Sequence, residues 1–470
     1  MDHELDEDLI VRQVCLNGQE HVLRWLPELG QEARHRLLGQ LAEVDYQQVA
    51  TFARLIGSPP TEVSFLDLEP APVARLPLGK ERREVEKDIR RLGERALRAN
   101  RVAAVTAAGG QGTRLRYEHP KGTYPITPLR HKSLFQLFAE QIRAARRRYG
   151  CDLPWLIMTA RPNHTETREF FRENGFFALG EETIHFFTQD SSPILNAEGR
   201  MLLAGKGELL TGPGGHGGVY NALVRSGLLD TLRGAGHDLM SYFQVDNPLV
   251  TVADPRFLGH HIAWDADFSC KVVPKRNPDE GLGIAVLRAG RPAVVEYCDV
   301  PGHLAAQRDM RGRLRFLFGS IATHVIDVPF AERVAQSGGL HWHIARKQYD
   351  ILDDNGDIVR SAPEACFKFE RFIFDAMAYA DRCTFVEVRR DSAFAPVKRI
   401  DGEDSPDSAR QAMQRMWLRW LQEAGVKVSL PKGLETPIIE ISPLYALDER
   451  ELAERIDADM QVQFPLVLEA

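Results

Sequence analysis

The chain has 470 residues, of which 44% are hydrophobic and 27% are charged, so its length allows about three domains with a sizeable buried core. Its formal net charge of −7 disfavours a general nucleic-acid binder and means that an anionic ligand has to be met by a local group of cations. No apolar stretch is long enough to span a bilayer, and the acidic N-terminus lacks the basic region of a secretory signal, so we expect neither feature in the chain.

Six cysteines are scattered along the sequence without C-x-x-C spacing. This pattern favours reduced thiols over a disulfide framework or a zinc site, and reduced thiols are typical of the cytoplasm. We therefore expect a cytoplasmic protein that has neither a nucleic acid nor a membrane as a partner. The sequence leaves the oligomeric state open.

The predicted elements divide the chain into three parts. Residues 1–98 form a helical segment, because leucines recur there at roughly helical spacing and a charged helix over about 81–99 follows. Residues 99–399 form the main domain, in which strands and helices alternate. Residues 400–470 form a small C-terminal domain, which contains a helix over Ser408–Glu423.

Four apolar runs in the main domain are predicted strands, with helical patterns between them. The runs are Val102–Val105, Leu156–Thr159, Ile184–Gln189 and Met240–Val245. This alternation predicts an α/β fold with a parallel sheet and helices on both of its faces. Ligands of such sheets bind beyond the carboxyl ends of the strands, where we expect the turn after the first strand, Gln189 and Asp246.

Other patterns concern the later part of the main domain. Several short strands between residues 268 and 330 are expected to form an insertion that lies over the sheet. One helix is expected over Val219–Leu229, directly after a glycine-rich stretch. Another is expected over Glu370–Ala380, and a strand over Thr384–Val388.

The turn after the first predicted strand combines glycines with cations. Gly109 and Gly110 end the strand, and Arg114, Arg116 and Lys121 follow shortly afterwards. Glycine lets the backbone approach a ligand closely, and free backbone N–H groups in such a turn form a hollow that binds anions. Arginine and lysine add full charges for phosphate oxygens. The combination predicts a nucleotide triphosphate site, against the alternative of a surface turn with a solvated basic stretch.

This motif differs from the common phosphate-binding glycine loops. Its glycines lack the G-x-G-x-x-G spacing of dinucleotide-binding domains, and its lysine lies too far from them for a Walker A loop. The string G-G-Q-G-T-R-L, followed by P-K-G, resembles the signature of the sugar nucleotidyltransferases. Within them it is similar to the eukaryotic-type UDP-sugar pyrophosphorylases, and the UDP-N-acetylglucosamine branch is nearest. The strings A-D-P-R-F-L-G (253–259) and I-E-I-S-P-L (439–444) resemble the same family.

The resemblance implies a Rossmann-like α/β fold with a mixed, mostly parallel sheet, of the nucleotide-diphospho-sugar transferase type. In it, 1–98 is the N-terminal helical segment, 99–399 the catalytic domain and 400–470 the small C-terminal domain. It implies that UTP and a sugar 1-phosphate give a UDP-sugar and pyrophosphate by Mg²⁺-assisted in-line attack on the α-phosphate. N-acetylglucosamine 1-phosphate is the leading substrate, and N-acetylgalactosamine 1-phosphate is a near second. Two alternatives stay open: another hexose 1-phosphate (glucose or galactose), and a non-catalytic homologue that binds UDP-sugars.

Several residues are candidates for binding the UTP phosphates and the nucleoside. Arg114 and Lys121 carry the charges for the triphosphate. The resemblance implies a similar catalytic role for Lys398, in A-P-V-K-R-I-D-G. It also implies that the backbones of Gly109 and Gly110 lie against the uracil and the ribose.

Three further residues are implied in UTP binding. Gln189 ends a predicted strand, and its amide can pair with the donor and acceptor edge of uracil, as the family's glutamine does. The resemblance adds Gly215, in the glycine-rich stretch T-G-P-G-G-H-G-G, and Lys368, in F-K-F-E-R. Arg116 stands where the family has glycine, and a phosphate contact and a solvent-facing role are both compatible with it.

Asp246, in F-Q-V-D-N-P, directly follows an apolar strand. A carboxylate at that place can hold Mg²⁺ between phosphates, and the resemblance implies the same use. The alternative is an aspartate that caps a turn, because Asp-Asn-Pro is also a good turn sequence. We favour the metal role because the phosphate-binding turn follows another strand of the same sheet.

The sugar side of the motifs departs from the family. His216 occupies the position of an asparagine that touches the sugar in the family string P-x-G-N-G-G-x-Y. Glu296 and Tyr297 match the string V-E-Y, which borders the sugar. In G-S-I-A-T-H, Ser320 and Thr323 replace two asparagines of the family. These departures leave the identity of the sugar open, although a histidine can still donate a hydrogen bond to it.

Overall fold

The computed structural model describes residues 6–58, 67–429 and 437–469. The chain folds into two compact units. The smaller unit consists of Met1–Ser64, Gln189–Gly218 and Leu340–Ile373, and the sheet unit consists of Phe65–Thr188, Val219–Gly339 and Phe374–Ala470. None of the helices in the described ranges has the length and the apolar character that crossing a bilayer requires. The predicted division into 1–98, 99–399 and 400–470 stays a prediction.

The α-helices of the described ranges are numbered in chain order. They are α1 (Glu7–Leu16), α2 (Gln31–Ala42), α3 (Tyr46–Gly57), α4 (Lys80–Arg98), α5 (Leu134–Tyr149), α6 (Arg161–Glu173), α7 (Val219–Arg225), α8 (Leu228–Gly234), α9 (Pro255–Ala263), α10 (Gly302–Ala305), α11 (Val328–Gln336), α12 (Arg390–Ala393), α13 (Pro406–Glu423) and α14 (Glu449–Arg455).

The strands of the described ranges are numbered in the same way. They are β1 (Leu68–Pro70), β2 (Val73–Ala74), β3 (Val102–Ala107), β4 (Trp155–Thr159), β5 (Ile184–Thr188), β6 (Ser191–Pro193), β7 (Leu203–Gly205), β8 (Glu208–Leu209), β9 (Thr211–Pro213), β10 (Leu239–Gln244), β11 (Phe268–Pro274), β12 (Ile284–Arg288), β13 (Arg291–Val295), β14 (Phe318–Asp327), β15 (His343–Lys347), β16 (Asp350–Leu352), β17 (Ile358–Arg360), β18 (Cys366–Glu370), β19 (Cys383–Glu387), β20 (Ile439–Ile441) and β21 (Leu466–Leu468).

A mixed sheet forms the centre of the sheet unit. Its strand order is β2-β19-β11-β14-β10-β3-β4-β5, with β1, β12 and β13 attached beside this path. Five neighbouring pairs along the path are parallel, and β14 is antiparallel to both of its neighbours β10 and β11. The predicted α/β class with a mixed, mostly parallel sheet is therefore confirmed.

The first core strand is apolar except for the buried Thr106, because it is buried on both faces. Val102 and Val105 are each 1% exposed, and β3 pairs in parallel with β10 on one side and β4 on the other. A strand with neighbours on both sides and helices on both faces has no solvent-facing row, which explains the continuous apolar run. Ala107 lies opposite Gln244, so the chains leave β3 and β10 at the same edge of the sheet.

Helix α5 follows the glycine-rich turn and begins at a capped residue. The side-chain oxygen of Ser133 accepts from the N–H of Gln136 at 3.0 Å. The side-chain amide of Gln136 donates to Glu140 at 3.2 Å, so the Ser133 half of a capping box is present. The helix ends at Gly150, whose left-handed backbone suits a residue without a Cβ.

The prediction of an insertion over the sheet is wrong for two of its strands. β11 and β14 are central members of the sheet, and β14 pairs with β10 as well as with β11. β12 and β13 form an antiparallel hairpin beside the main path, and Ile284 of β12 is paired with Gly319 of β14. Short apolar runs give no information on pairing partners, because both an insertion and a central sheet bury such strands.

Two predicted helices have different bounds in the structure. The helix expected over Val219–Leu229 is two short helices, α7 and α8, because the chain turns at Gly227 with a left-handed φ of 70°. The helix expected over Glu370–Ala380 is a 3₁₀ helix over Ile373–Tyr379, and Glu370 is the last residue of β18.

The smaller unit has its own apolar core. Helices α1–α3 contribute residues at helical spacing, including Val14, Leu37 and Leu41, each fully buried. The ring of Phe52 stacks on that of Phe369, with centroids 3.8 Å apart. Antiparallel pairs β6–β9, β7–β8, β15–β18 and β16–β17 complete this unit.

Candidate active site

The turn after β3 folds back and brings Lys121 beside Gly110. β3 ends at Ala107, and two backbone hydrogen bonds then close the loop: Lys121 N–H to the Gly110 carbonyl at 3.1 Å, and Gly112 N–H to the His119 carbonyl at 3.0 Å. A Cβ built on Gly110 would meet only the Cε of Lys121, at 4.0 Å. Packing therefore does not demand glycine at this position, and the backbone is accessible to a ligand.

The predicted phosphate-binding cations lie on this turn. Gly109 is half-buried, and Arg114 is exposed within a 3₁₀ turn over Thr113–Leu115. Arg116 is also exposed and has a left-handed φ of 52°. The side chains of the two arginines make no hydrogen bond or ion pair with the described part of the chain. Both guanidinium groups are therefore available to an anion.

Asp246 leaves the same edge of the sheet from the neighbouring strand β10. Its carboxylate Oδ2 lies 3.5 Å from the Nζ of Lys121, and the two side chains are 14% and 15% exposed. The sequence separates these residues by more than a hundred positions, and the parallel register of β3 and β10 joins them. The expectation that the glycine turn and Asp246 meet at one sheet edge agrees with this geometry.

Asn247 ties the segment before Lys398 to the Asp246 loop. Its side-chain amide donates to the carbonyl of Ala393 at 2.8 Å, and its side-chain oxygen accepts from the N–H of Ala395 at 3.1 Å. The N–H of the residue that precedes Lys398 donates to the Asp246 carbonyl at 2.8 Å. The buried side chain of Asn247 thus holds together two segments. One carries Asp246, a candidate metal ligand, and the other carries Lys398, a candidate phosphate-binding cation.

Two groups at this edge have shifted pKa values. Burial raises the pKa of Asp404, while the Lys398 ammonium acts in the opposite direction, and the Lys398 N–H donates to the Asp404 carbonyl at 2.7 Å. Burial raises the pKa of Tyr242, and the negative charge of Asp246 raises it further.

A divalent cation fits the donor set at Asp246. Among the described residues no three or more His, Cys, Asp or Glu side chains form a group that would hold a metal. One carboxylate beside a turn with accessible cations is an arrangement that suits Mg²⁺, which binds through one or two carboxylates together with substrate phosphates and water.

The C-terminal part of the sheet unit supports the loop after Lys121, which the sequence did not indicate. The carboxylate of Glu440 in β20 accepts from the N–H groups of Leu129 and Arg130, at 2.7 and 2.8 Å. Arg410 in α13 donates to the carbonyl of Pro125 at 2.9 Å. Glu440 lies within I-E-I-S-P-L, but such a string does not reveal which loop its carboxylate holds.

The predicted sugar residues of the sheet unit lie after β13 and in β14. Glu296 is half-buried and Tyr297 is 50% exposed, with its ring 3.5 Å from the place of a Cβ on Gly281. Thr323 is buried, and the Ser320 hydroxyl lies 3.2 Å from the Sγ of the buried Cys270. The two residues that replace family asparagines are therefore both packed within the sheet.

The glycine-rich loop of the smaller unit is packed against a neighbouring segment. Gly215 has a φ of 84°, and a Cβ on it would lie 2.4 Å from the carbonyl oxygen of Arg371. The Gly217 N–H donates to that oxygen at 2.8 Å, and the Arg371 N–H donates to the Gly214 carbonyl at 2.8 Å. These glycines allow two backbones to approach closely, a reason that the sequence did not reveal.

Other predicted residues of the smaller unit are largely buried. The Nδ1 of His216 accepts from the Ile373 N–H at 3.1 Å, which assigns the proton of the neutral ring to Nε2. Gln189 is 8% exposed. Lys368 is 7% exposed, and its ammonium lies 2.7 Å from a carboxylate oxygen of Glu370. An ion pair of Lys368 with phosphate would have to compete with this internal partner.

A glycine-rich turn with cations at the carboxyl edge of a mixed α/β sheet, with a carboxylate beyond the end of the neighbouring strand, suits the transfer of a nucleotidyl group. The sequence model of the family described as UTP–glucose-1-phosphate uridylyltransferase matches residues 75–446. The chain belongs to this family, so the resemblance inferred from the motifs and the assignment to the uridylyltransferases are confirmed.

Relatives and solved structures agree with this assignment. The chain is 33% identical to UDP-N-acetylhexosamine pyrophosphorylase-like protein 1 of Homo sapiens, over 96% of this chain and 95% of the relative. It is 33% identical to UDP-N-acetylglucosamine diphosphorylase 2 of Arabidopsis thaliana, over 91% of this chain and 87% of that one. The crystal structure of the Trypanosoma brucei UDP-N-acetylglucosamine pyrophosphorylase with an inhibitor has a TM-score of 0.83, at 28% identity, and covers 97% of this chain and 95% of that chain.

Proposed function

We propose that this protein converts UTP and N-acetylglucosamine 1-phosphate to UDP-N-acetylglucosamine and pyrophosphate. The observation that carries the proposal is the meeting of Lys121 with Asp246, 3.5 Å apart, at the ends of two adjacent parallel strands. The choice of sugar is supported by the relatives, whose names specify UDP-N-acetylglucosamine or UDP-N-acetylhexosamine.

The proposed reaction is a displacement at phosphorus. An oxygen of the sugar 1-phosphate attacks the α-phosphorus of UTP in line, and the bond to the β-phosphate oxygen breaks as pyrophosphate leaves. The nucleophile is already ionised at neutral pH, so the chain does not need a general base. Its main task is to hold several anionic groups together and to neutralise the charge that moves onto the leaving pyrophosphate.

Three cations are proposed to perform this neutralisation. Arg114 is exposed and the Lys121 side chain is 15% exposed, and both lie on the same turn. Lys398 follows the segment that Asn247 fixes to the Asp246 loop. Guanidinium and ammonium groups hold phosphate oxygens by charge-assisted hydrogen bonds, which are about twice as strong as neutral ones.

Asp246 is proposed as the ligand of Mg²⁺. When bound, Mg²⁺ would polarise phosphate oxygens and offset their charge. The chain contributes one half-buried carboxylate, and the nucleotide's own oxygens supply further ligands.

The remaining assignments are predictions that rest on the family resemblance. Gly109 and Gly110 would contact the uracil and the ribose, and the accessible backbone of Gly110 supports this. The nucleotide contacts of Gln189, Gly215 and Lys368 have no comparable support. The sugar contacts would come from His216, Glu296, Tyr297 and Thr323.

Another hexose 1-phosphate, such as that of glucose or galactose, is the second candidate substrate. The specific reason is the replacement of family asparagines by His216, Ser320 and Thr323. We further propose a cytoplasmic location, which the six free thiols support.

A substrate panel tests both candidates. The full chain is incubated with UTP, Mg²⁺ and, in turn, the 1-phosphates of N-acetylglucosamine, N-acetylgalactosamine, glucose and galactose, and pyrophosphate release is measured. We expect the largest kcat/KM with N-acetylglucosamine 1-phosphate. A largest value with glucose 1-phosphate would favour the second candidate, and the absence of pyrophosphate with every sugar would refute the proposed activity.

A further inference from the structure

The Lys121–Asp246 pair joins the proposed phosphate cation to the proposed metal ligand. In the described ranges, Lys121 is the residue with which the Asp246 carboxylate forms an ion pair, at 3.5 Å, and both side chains are mostly buried. Because the partner charges cancel, a divalent cation that approaches Asp246 meets a neutral pair, with the Lys121 ammonium beside the place it would occupy.

This pair is longer than two well-buried lysine–carboxylate pairs of the sheet unit, and similar in length to the Lys132–Glu469 pair at 3.6 Å. Lys271 lies 2.7 Å from Asp254, and Lys132 lies 2.9 Å from Glu140, which are normal lengths for charge-assisted hydrogen bonds. At 3.5 Å the Lys121 ammonium is at the outer limit of such a bond. The pair therefore supplies charge neutralisation with little directional bonding, so that exchange of partners costs little.

The backbones on both sides are held independently of this pair. The Lys121 N–H donates a hydrogen bond to the Gly110 carbonyl. The Asp246 carbonyl accepts a hydrogen bond from the N–H of Val397. A change of partner thus requires only rotation of the lysine side chain. The place of a Cβ on Gly110 is 4.0 Å from the Lys121 Cε, with no nearer atom, so there is room for this rotation on the side where the phosphates are expected.

We propose that Lys121 neutralises Asp246 until UTP arrives, so that the divalent cation enters together with the nucleotide. The triphosphate gives Lys121 a new anionic partner, and its oxygens complete the ligand set that one carboxylate cannot provide. The metal then takes over the charge that the lysine gives up. This inference rests on the proposed function and adds the order in which its components bind.

The test measures Mn²⁺ binding to the nucleotide-free protein by electron paramagnetic resonance. Wild type is expected to bind Mn²⁺ weakly. Lys121→Gln removes the competing positive charge next to Asp246, and we expect Mn²⁺ affinity to rise by roughly tenfold. Lys121→Met is the second variant, in case the amide forms a new hydrogen bond, and melting temperatures establish that each variant is folded.

Two further variants test whether the gain depends on the positive charge at position 121 and on the Asp246 carboxylate. Lys121→Arg keeps the positive charge, so its Mn²⁺ affinity should stay as weak as that of wild type. Lys121→Gln combined with Asp246→Asn should lose the gained affinity. Unchanged Mn²⁺ binding in folded Lys121→Gln and Lys121→Met, or a gain that survives Asp246→Asn, would overturn the proposal. Since no sugar or turnover is involved, failure of the proposed reaction in the substrate panel would be a separate result.

Discussion

Gly110 and Gly215, from the two glycine-rich stretches described above, serve different physical purposes, although the compositions of the stretches are similar. In the turn after β3, a Cβ on Gly110 would meet one flexible side-chain atom at 4.0 Å. In the loop of the smaller unit, a Cβ on Gly215 would lie 2.4 Å from a backbone oxygen, and the residue has a φ of 84°. Gly110 leaves its backbone accessible beside cations, whereas Gly215 allows two backbones to pack closely. Glycine content alone therefore does not identify a phosphate site.

The largest effect is expected at the accessible turn. Lys121→Ala removes a charge that stabilises the transition state, so kcat/KM should fall by roughly 10²–10³-fold while the melting temperature stays near that of wild type. Pyrophosphate release and circular dichroism measure the two properties. Lys427→Ala, at an exposed lysine, is the control and should leave both unchanged. Near-normal turnover of Lys121→Ala would contradict the proposal that the turn after β3 binds the phosphates.

A pair of identical substitutions tests the two stretches directly. Gly215→Ala places a methyl group against the Arg371 carbonyl oxygen and puts a non-glycine residue in the left-handed region. The free energy of unfolding should therefore fall by about 2–4 kcal/mol. Gly110→Ala should change it by less than about 0.5 kcal/mol but raise the KM for UTP by roughly tenfold, because the methyl group lies where the nucleotide is expected. Urea titrations and initial rates provide these values. Equal losses of stability in both variants would contradict the distinction between an accessible Gly110 and a tightly packed Gly215.

Asn247→Ala tests whether the position of Lys398 depends on the side-chain hydrogen bonds of Asn247. Loss of the two side-chain hydrogen bonds frees the segment before Lys398, and we expect kcat to fall about 10- to 100-fold through misplacement of the lysine. Asn247→Asp retains the acceptor for Ala395 but not the donor to Ala393, so its kcat should be intermediate. If both variants lose stability yet retain the kcat of wild type, Asn247 has only a structural role.

A change in substrate preference, without a large loss of activity, is expected at His216, in the packed loop. His216→Asn restores the family's residue and can retain an acceptor for the Ile373 N–H, so we expect an intact fold. The ratio of kcat/KM for N-acetylglucosamine 1-phosphate over glucose 1-phosphate should rise by roughly tenfold if this side chain contacts the sugar. His185→Asn serves as the control at a half-buried histidine of β5. An unchanged ratio would leave the packed loop with a structural role only.

Local patterns were sufficient for the strands that flank the proposed site. The apolar run at Val102 and the run that ends before Asp246 predicted β3 and β10 within one or two residues. The same reasoning failed for β11 and β14, which lie within the sheet and not over it. An apolar run reports that a strand is buried, but several arrangements of the chain bury it equally well.

The amino-acid sequence by itself determined the α/β class, the family and the cations of the glycine turn, because periodicity, turn chemistry and motif spacing are properties of neighbouring residues. Only the tertiary structure decided that Lys121 meets Asp246, that Asn247 holds the segment before Lys398, and that Lys368 is paired with Glu370. Most of these contacts join residues far apart in the chain. Their existence depends on strand register and side-chain direction, which no local pattern contains.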